Sequence, residues 1–147
     1  MIVKVSTLLE TTADLAWRTA KRTATLLHVA RGLLGFRGVG PIPPEWVPGD
    51  RVRTRLIFFH VVPAWEHELR IVGVEEDWHE IHFNEHGGPV QSWRHRIAVE
   101  PVDATRCRYT DEIDIRAGVL TPMVWLFAQV FYRYRQMRWR HLARSLA

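Results

Sequence analysis

Residues 120–146 read LTPMVWLFAQVFYRYRQMRWRHLARSL, and the spacing of their side chains predicts one long helix. Large side chains recur at helical intervals along one side, at Phe127, Phe131, Tyr134, Arg138 and Leu142. Polar side chains fall together on the opposite side, at Gln129, Arg133, Gln136, Arg140 and Arg144. A helix with one face for burial needs a broad apolar surface to lie on. The strand-like runs that precede it in the chain are the candidate for that surface.

The composition is that of one ordinary globular domain. At 147 residues and 47% hydrophobic content, the chain is large enough to bury a core, and we expect one domain over residues 1–147. The net charge of +4 permits a nucleic-acid partner, but the basic residues are spread along the chain. Their densest group lies on the terminal helix among aromatic residues, which favours a solvated helix face. An adaptor that binds protein or nucleic acid through this face remains an alternative.

The single cysteine and the amino terminus bear on the compartment. Cys107 has no cysteine partner for a disulfide and no partner at metal-ligand spacing, which fits a reducing compartment. The first residues, MIVKVSTLLETTADLAW, lack the features of a signal peptide. The longest apolar run, Val119 to Tyr132, is interrupted and too short to span a bilayer. We therefore expect a cytoplasmic protein without membrane insertion, as a monomer or homodimer.

The first third of the chain predicts a strand followed by two short helices. Residues 2–9 are rich in β-branched side chains, and Thr11 with Asp14 resembles a capping box that begins a helix. The helical pattern continues over residues 13–34, with a natural break at the polar residues 21–23. Glycine and proline then mark an irregular connection of about fifteen residues that is either a functional rim or a surface linker.

The middle of the chain predicts an antiparallel sheet. Strand-like runs occupy residues 52–60, 65–74, 78–86, 90–100 and 106–116. The spacers between them are short enough for hairpins, so the runs should form a meander.

This order of elements resembles the helix-grip fold of the START and birch-pollen-allergen superfamily, often called SRPBCC. Local segments look like its polyketide cyclase/dehydrase-like branch: TTADLAW at 11–17, PEWVPGDRVRTRL at 44–56, GGPVQSWRHRIAVEP at 87–101, RYTDEIDIRAG at 108–118 and FYRYRQMRWRHLA at 131–143. The sequence departs from larger members because six strands are evident where seven are common. Either the sheet is shorter, or a strand lies within residues 36–50.

The resemblance implies an α+β protein in which a curved antiparallel sheet of six or seven strands wraps around the long terminal helix. Between sheet and helix it implies a cavity that holds a small hydrophobic or aromatic molecule. Members of the superfamily include lipid carriers, hormone binders and aromatic polyketide cyclases, so the fold alone does not name an activity. No cofactor is implied.

Strand alternation predicts which side chains face the cavity, because successive strand residues point to opposite sides of a sheet. With the shortest hairpin registers, ionisable groups converge on two adjacent rows of the inner face: His60, His67, Glu85, His95 and Asp111. Apolar and aromatic side chains surround them. The predicted ligand-binding set adds Phe58, Leu69, Phe83, Trp93 and Tyr109 from the sheet, and Phe127, Phe131, Tyr134 and Arg138 from the helix.

Three interpretations of the ionisable cluster remain open. The cluster satisfies its own hydrogen bonds, with Arg138 or Tyr134 contributing from the helix. Alternatively it orients the polar end of an apolar ligand. In the third, His95 held by Asp111 is a general acid or base of a cyclase or dehydratase. His60, His67 and Glu85 are metal-ligand types, but their spacing matches no metal motif, so no metal site is predicted.

Overall fold

The computed structural model describes residues 1–38 and 40–146. Strand β1 (Ile2–Leu9) is followed by helices α1 (Ala13–Ala20) and α2 (Thr23–Ala30). The sheet continues with β2 (Leu34–Gly38), β3 (Arg51–Phe58), β4 (Val62–Glu75), β5 (Glu80–Gly87), β6 (Val90–Pro101) and β7 (Cys107–Arg116). A short 3-10 turn at Gly118–Leu120 leads into the terminal helix α3 (Thr121–Leu146).

One antiparallel sheet carries the fold. Its seven strands lie in the order β1-β7-β6-β5-β4-β3-β2, so the amino-terminal strand closes the sheet beside the last strand. This α+β helix-grip architecture confirms the fold expected from the sequence. The seventh strand is β2, which begins at the end of the predicted helical stretch and pairs with β3.

Local sequence explains the helix boundaries. Thr12 caps α1 with its hydroxyl, which accepts a hydrogen bond from the Leu15 amide at 3.2 Å. The predicted break at residues 21–23 separates α1 from α2, and Thr23 begins the second helix. The hydroxyl of Thr25 in α2 donates to the Thr19 carbonyl of α1 at 2.6 Å, which joins the two helices. Helix α2 packs against α3, and helix α1 packs against β6 and β7.

Helix α3 also covers the free edge of β1. The side-chain amide of Gln136 donates to the Val5 carbonyl at 2.6 Å, and the Trp125 indole donates to the Ile2 carbonyl at 2.9 Å. Arg140 reaches the Thr7 hydroxyl at 2.9 Å. These bonds fix the rotation of α3 about its own axis, so its inner face carries Ala128, Phe131, Tyr132, Arg135, Gln136, Trp139 and Ala143.

The inner face of the helix differs from the sequence prediction by about one residue. Tyr134 and Arg138, predicted to face the sheet, are only half-buried, whereas Arg135 and Gln136 are fully buried. The predicted outward position of Gln136 is wrong, because hydrogen bonds allow this polar side chain to be buried. Its side-chain amide donates to the Val5 carbonyl and to the Asp111 carboxylate. Among the described helices, none is long and apolar enough to cross a membrane.

Candidate functional site

A cavity of about 360 Å³ lies between the concave face of the sheet and α3. Strands β3 to β7 supply its walls, while α2 and β2 close one side and α3 forms the roof. Most lining side chains are aliphatic or aromatic, among them Leu34, Leu56, Leu69, Phe83, Ile97 and Phe131. Pockets of this size and apolar character are typical sites for small organic ligands.

Polar side chains gather in one part of the cavity wall. Nε2 of His67 lies 3.1 Å from Oε1 of Glu85, and Oε2 of Glu85 lies 3.8 Å from Nδ1 of His95. These residues come from β4, β5 and β6, and cross-strand pairing brings them together. His67 and His95 are almost fully buried, and the Glu85 side chain is 11% exposed. These ionisable groups are therefore buried in the cavity wall and are not exposed at the protein surface.

Asp111 lies behind His95 and is completely buried. Its Oδ1 is 2.7 Å from His95 Nε2 and accepts a hydrogen bond from the Tyr109 hydroxyl at 3.3 Å. Its Oδ2 accepts from the Gln136 amide at 3.3 Å, and Arg135 Nη2 lies 3.7 Å from Oδ1. Burial opposes the ionisation of Asp111, but the Arg135 charge and these hydrogen bonds outweigh it, so the pKa of Asp111 lies below its usual value.

Arg135 provides the cation of this cluster. Burial disfavours its charge, but the Asp111 carboxylate outweighs that effect and raises the pKa of Arg135. Its guanidinium also lies 5.1 Å from the Tyr132 ring and donates to the Tyr109 hydroxyl at 3.2 Å. Arg135 and Asp111 thus form a buried ion pair between α3 and β7, with Arg135 lining the cavity.

Two buried tyrosines supply neutral hydroxyl groups next to the ion pair. Burial raises the pKa of both Tyr109 and Tyr132, so both phenols stay protonated at neutral pH. The Tyr132 hydroxyl accepts a hydrogen bond from the Trp93 indole at 3.2 Å. Its ring packs edge-on against His95, which stacks on Phe83 from the other side. His95 is thereby held between two aromatic rings.

Some polar atoms around the cavity have no protein partner. Within residues 1–38 and 40–146, Nδ1 of His67, Nε of Arg135 and Nε1 of Trp65 are buried and make no hydrogen bond. All three residues line the cavity. Buried polar groups are usually satisfied, so these atoms are candidates for hydrogen bonds to a ligand.

The structure brings most of the predicted site residues to the cavity. Its lining includes Phe58, His67, Leu69, Phe83, Glu85, Trp93, His95, Tyr109, Phe127 and Phe131. Asp111 is in contact with His95 and Tyr109 but does not itself line the cavity. The predicted pairing of His95 with Asp111 is confirmed by their hydrogen bond.

Three predicted residues lie elsewhere. His60 is exposed in the β3–β4 turn, where its Nε2 accepts from the Gly32 amide at 2.9 Å. Tyr134 donates to the Arg31 carbonyl, and Arg138 donates to the His28 carbonyl at 2.9 Å. The placement of His60, Tyr134 and Arg138 at the cavity was therefore wrong. His60, His67 and Glu85 therefore do not form a group close enough to hold a metal ion among the described residues.

Many lining residues were absent from the predicted set, among them three on the inner face of α3 and one in the proline-rich connection. Tyr132, Arg135 and Trp139 come from the inner face of α3, and Trp46 comes from the proline-rich connection. Trp46 is 6% exposed and packs edge-on against Phe83 at 5.1 Å, so this connection contributes to the cavity wall. A signal was available for α3, because Tyr132, Arg135 and Trp139 recur at helical spacing one residue away from the chosen face.

Solved structures with the same fold come from several organisms. A START superfamily protein from Mycobacterium smegmatis has a TM-score of 0.77 over 99% of this chain and 99% of its own, at 10% identity. The Zhui aromatase/cyclase from a Streptomyces species has a TM-score of 0.72 over 98% of this chain and 93% of its own, at 12% identity. Norcoclaurine synthase from Thalictrum flavum, in complex with dopamine and hydroxybenzaldehyde, has a TM-score of 0.64 over 93% of this chain and 85% of its own, at 12% identity.

At these identities the solved structures establish the START-like helix-grip fold and nothing finer about activity. No curated protein matches the sequence. A family model described as a domain of unknown function, DUF8410, matches residues 38–146, from the end of β2 through α3. Because this match covers most of the chain, the protein belongs to the DUF8410 family, and it has the START-like helix-grip fold.

Proposed function

We propose that this protein binds a small, largely apolar molecule with an aromatic part and one polar end, in the cavity between sheet and α3. One observation carries the proposal: an apolar cavity of about 360 Å³ has its hydrogen-bonding groups gathered in one part of its wall. Pockets built in this way bind by apolar contact and orient the ligand through a few polar groups. The aromatic ligands named for norcoclaurine synthase also support an aromatic ligand class.

The charges around the cavity favour a neutral polar group on the ligand, such as a phenol or a carbonyl. The Arg135 charge is already balanced by Asp111, and the Glu85 carboxylate lies between two histidines. A charged ligand would lose its hydration in the cavity and would find no unpaired protein charge to compensate for that loss. A hydroxyl or carbonyl oxygen can accept the unused Nε–H of Arg135, and a hydroxyl can also donate to the unused Nδ1 of His67.

The test is a thermal-shift screen with neutral phenols, aromatic ketones and fatty compounds. A ligand at 100 times its dissociation constant adds about 2.7 kcal/mol to the free energy of unfolding. For a protein of this size, that raises the melting temperature by roughly 5–11 °C. No shift with any compound of the panel would contradict the proposal.

A matched pair of variants locates the binding site. Leu69 and Val72 lie on β4, with Leu69 in the cavity lining and Val72 exposed on the outer face. Leu69→Trp fills part of the cavity and should abolish the ligand-induced shift, whereas Val72→Trp should preserve it. Equal shifts in both variants would mean that the ligand binds outside the cavity.

The alternative function is that of a cyclase or dehydratase acting on polyketide-like substrates. The specific observation is the His95–Asp111 pair, in which Asp111 holds Nε2 of His95 at 2.7 Å and leaves Nδ1 on the side of Glu85. Such a pair fits a general acid or base, because the carboxylate orients the imidazole and stabilises its protonated form. The Streptomyces aromatase/cyclase with the same fold supports this class of reaction.

Replacing His95 with alanine separates the two functions. For an enzyme, turnover of an aromatic poly-β-keto substrate should fall by about 100-fold or more while ligand binding persists. For a binding protein, wild type and variant should both lack turnover. A cytoplasmic location and a monomeric or homodimeric state are also parts of this proposal, and light scattering with size-exclusion chromatography determines the latter.

A further inference from the structure

A row of apolar side chains faces solvent along the first half of α3. Trp125 is tied to the Ile2 carbonyl, and this contact turns the opposite side of the helix outward. The exposed positions are Val119 in the 3-10 turn and Met123, Leu126 and Val130 on α3, each between 58% and 96% exposed. Their spacing of four, three and four residues places them on one stripe. A solvent-facing helix stripe without polar residues indicates an interaction surface.

The turn between β3 and β4 adds a second exposed apolar group. Phe59, Val61 and Val62 are each between 52% and 76% exposed. Phe58, which precedes them, packs edge-on against Phe127 of α3 at 5.5 Å, so the turn lies next to the helix. We call Val119, Met123, Leu126 and Val130 with Phe59, Val61 and Val62 the apolar rim.

The turn between β3 and β4 has a strained backbone. Phe59 and His60 have φ of 54° and 60°, and the Val61 amide donates to the Phe58 carbonyl at 3.1 Å. Turns with two successive positive φ values favour asparagine and glycine, because bulky side chains are strained there. A phenylalanine kept exposed in such a turn is disfavoured by both conformation and hydration, which points to a role for its exposure.

The rim borders the mouth of the cavity. Met123 is 62% exposed and also lines the cavity, as do Leu120 and Phe127. Phe58, at the base of the strained turn, lines the cavity from the other side. A surface that covers the rim would therefore meet the cavity opening.

The rest of the outward stripe of α3 is basic. It continues through Arg133, Arg140 and Arg144, all exposed, although Arg140 also bonds the Thr7 hydroxyl and Arg144 lies 3.9 Å from Glu10. Residues 121–146 contain no aspartate or glutamate. A second copy packed along the whole stripe would set these arginines against the partner's arginines or against its apolar half. An anionic bilayer accommodates both halves, because apolar side chains enter the interface while arginines remain among the phosphate groups.

We propose that the apolar rim and the arginines that follow it on α3 dock this protein onto an anionic lipid surface, with the cavity mouth facing the bilayer. The docking is peripheral, and it goes beyond the proposed binding function. The lipid is recognised by its chemistry: an apolar interface that takes up the rim, and anionic head groups that pair with arginine.

The test is sedimentation with extruded vesicles of phosphatidylcholine alone and of an equal mixture of phosphatidylcholine and phosphatidylglycerol. The wild-type protein should bind the mixed vesicles more strongly, and raised salt should weaken that binding. Leu126→Gln with Val130→Gln should lower partitioning about tenfold or more, because both apolar side chains lose their burial in the interface. Val61→Gln tests the turn independently of the helix.

The control replaces two exposed valines away from the rim. Val72→Gln with Val102→Gln changes side chains of similar exposure and should leave vesicle binding unchanged. Wild-type protein that stays in the supernatant with mixed vesicles would overturn the proposal, as would equal binding by the rim variant. A wild-type dimer that the rim variant dissociates would assign the rim to a second copy instead. Thermal shifts with cavity ligands are measured without vesicles, so failure of docking is distinguishable from failure of ligand binding.

Discussion

Replacing Asp111 with asparagine should destabilise the protein strongly, because Arg135 would then be a buried charge without a charged partner. Asp111 is 0% exposed and Arg135 is 4% exposed, and their nearest atoms are 3.7 Å apart. Removing one partner of a buried ion pair costs about 3–5 kcal/mol. The amide nitrogen of asparagine would also face the Gln136 amide, which is a donor, where a carboxylate oxygen now accepts.

The measurement is equilibrium unfolding in guanidinium, supported by the melting temperature. A loss of about 3–5 kcal/mol corresponds to a decrease of roughly 6–20 °C for a protein of this size. The control is Asp114→Asn on the same strand, since Asp114 is partly exposed and its bond to Arg94 lies at the surface. An exposed pair of this kind contributes about 1 kcal/mol at most.

A double-variant cycle isolates the charge effect. Combining Asp111→Asn with Arg135→Met removes both charges, so the double variant should be more stable than the sum of the single losses predicts, by about 0.5–3 kcal/mol. If Asp111→Asn costs no more than Asp114→Asn, or if the two losses simply add, the ion pair does not stabilise the fold in the way described.

Three further predictions follow from other parts of the structure. The pKa of Asp111 is lowered on folding, so the ionised Asp111 side chain stabilises the folded protein above the unfolded pKa of about 3.9. This stabilisation is lost as pH falls through the folded pKa. The melting temperature of Asp111→Asn should therefore fall less between about pH 6 and pH 3 than that of wild type. Cys107 is buried, and burial raises its pKa to about 11, so a disulfide reagent at neutral pH should label it only upon unfolding, and rapid labelling of the native protein would contradict its burial. Gly32→Ala should cost more stability than Gly49→Ala, because both have positive φ but only at Gly32 would the added Cβ lie 2.5 Å from the Tyr134 hydroxyl; equal losses in thermal melts would show that backbone strain alone decides.

The fold was predictable because its signals are local and repeated. The long terminal helix, the break at residues 21–23 and the run of hairpin-sized spacers each follow from a short stretch of chain. The shortest hairpin between β5 and β6 would place Phe83 opposite His95 and Glu85 opposite Trp93, and this pairing is found. That register depends mainly on the short Gly87-Gly88 turn, which the sequence shows directly.

Other registers were wrong for reasons that single-strand patterns do not contain. The shortest β6–β7 register would pair Tyr109 with Ile97 and Asp111 with His95, but Tyr109 pairs with Val99 and Asp111 with Ile97, a shift of two residues. Irregularities between Arg55 and Ile57 and between Ile71 and Gly73 shift the pairing on both sides of β4. A shift of two keeps each side chain on its face, so His95, Tyr109 and Asp111 remain on the inner face although their cross-strand neighbours differ.

The candidate site was predicted less completely than the fold. Alternation identified His67, Glu85 and His95 on one face, since each strand shows that pattern by itself. Arg135 was missed because a buried arginine becomes plausible only when its partner, Asp111, is known to lie across from it. His60 was misplaced because β3 ends two residues earlier than its sequence pattern suggests. His60 therefore lies in the following turn, where its φ is positive.

The hydrogen bonds from α3 to the edge of β1 have a consequence for how this protein avoids self-association during folding. An uncovered edge strand offers its amides and carbonyls to any other extended chain, and so seeds aggregation. Trp125 occupies the Ile2 carbonyl, so this part of the edge is protected only after α3 has docked. Protection therefore comes from a segment that is synthesised after all seven strands, and the interval before α3 docks is the period of greatest risk for the nascent chain.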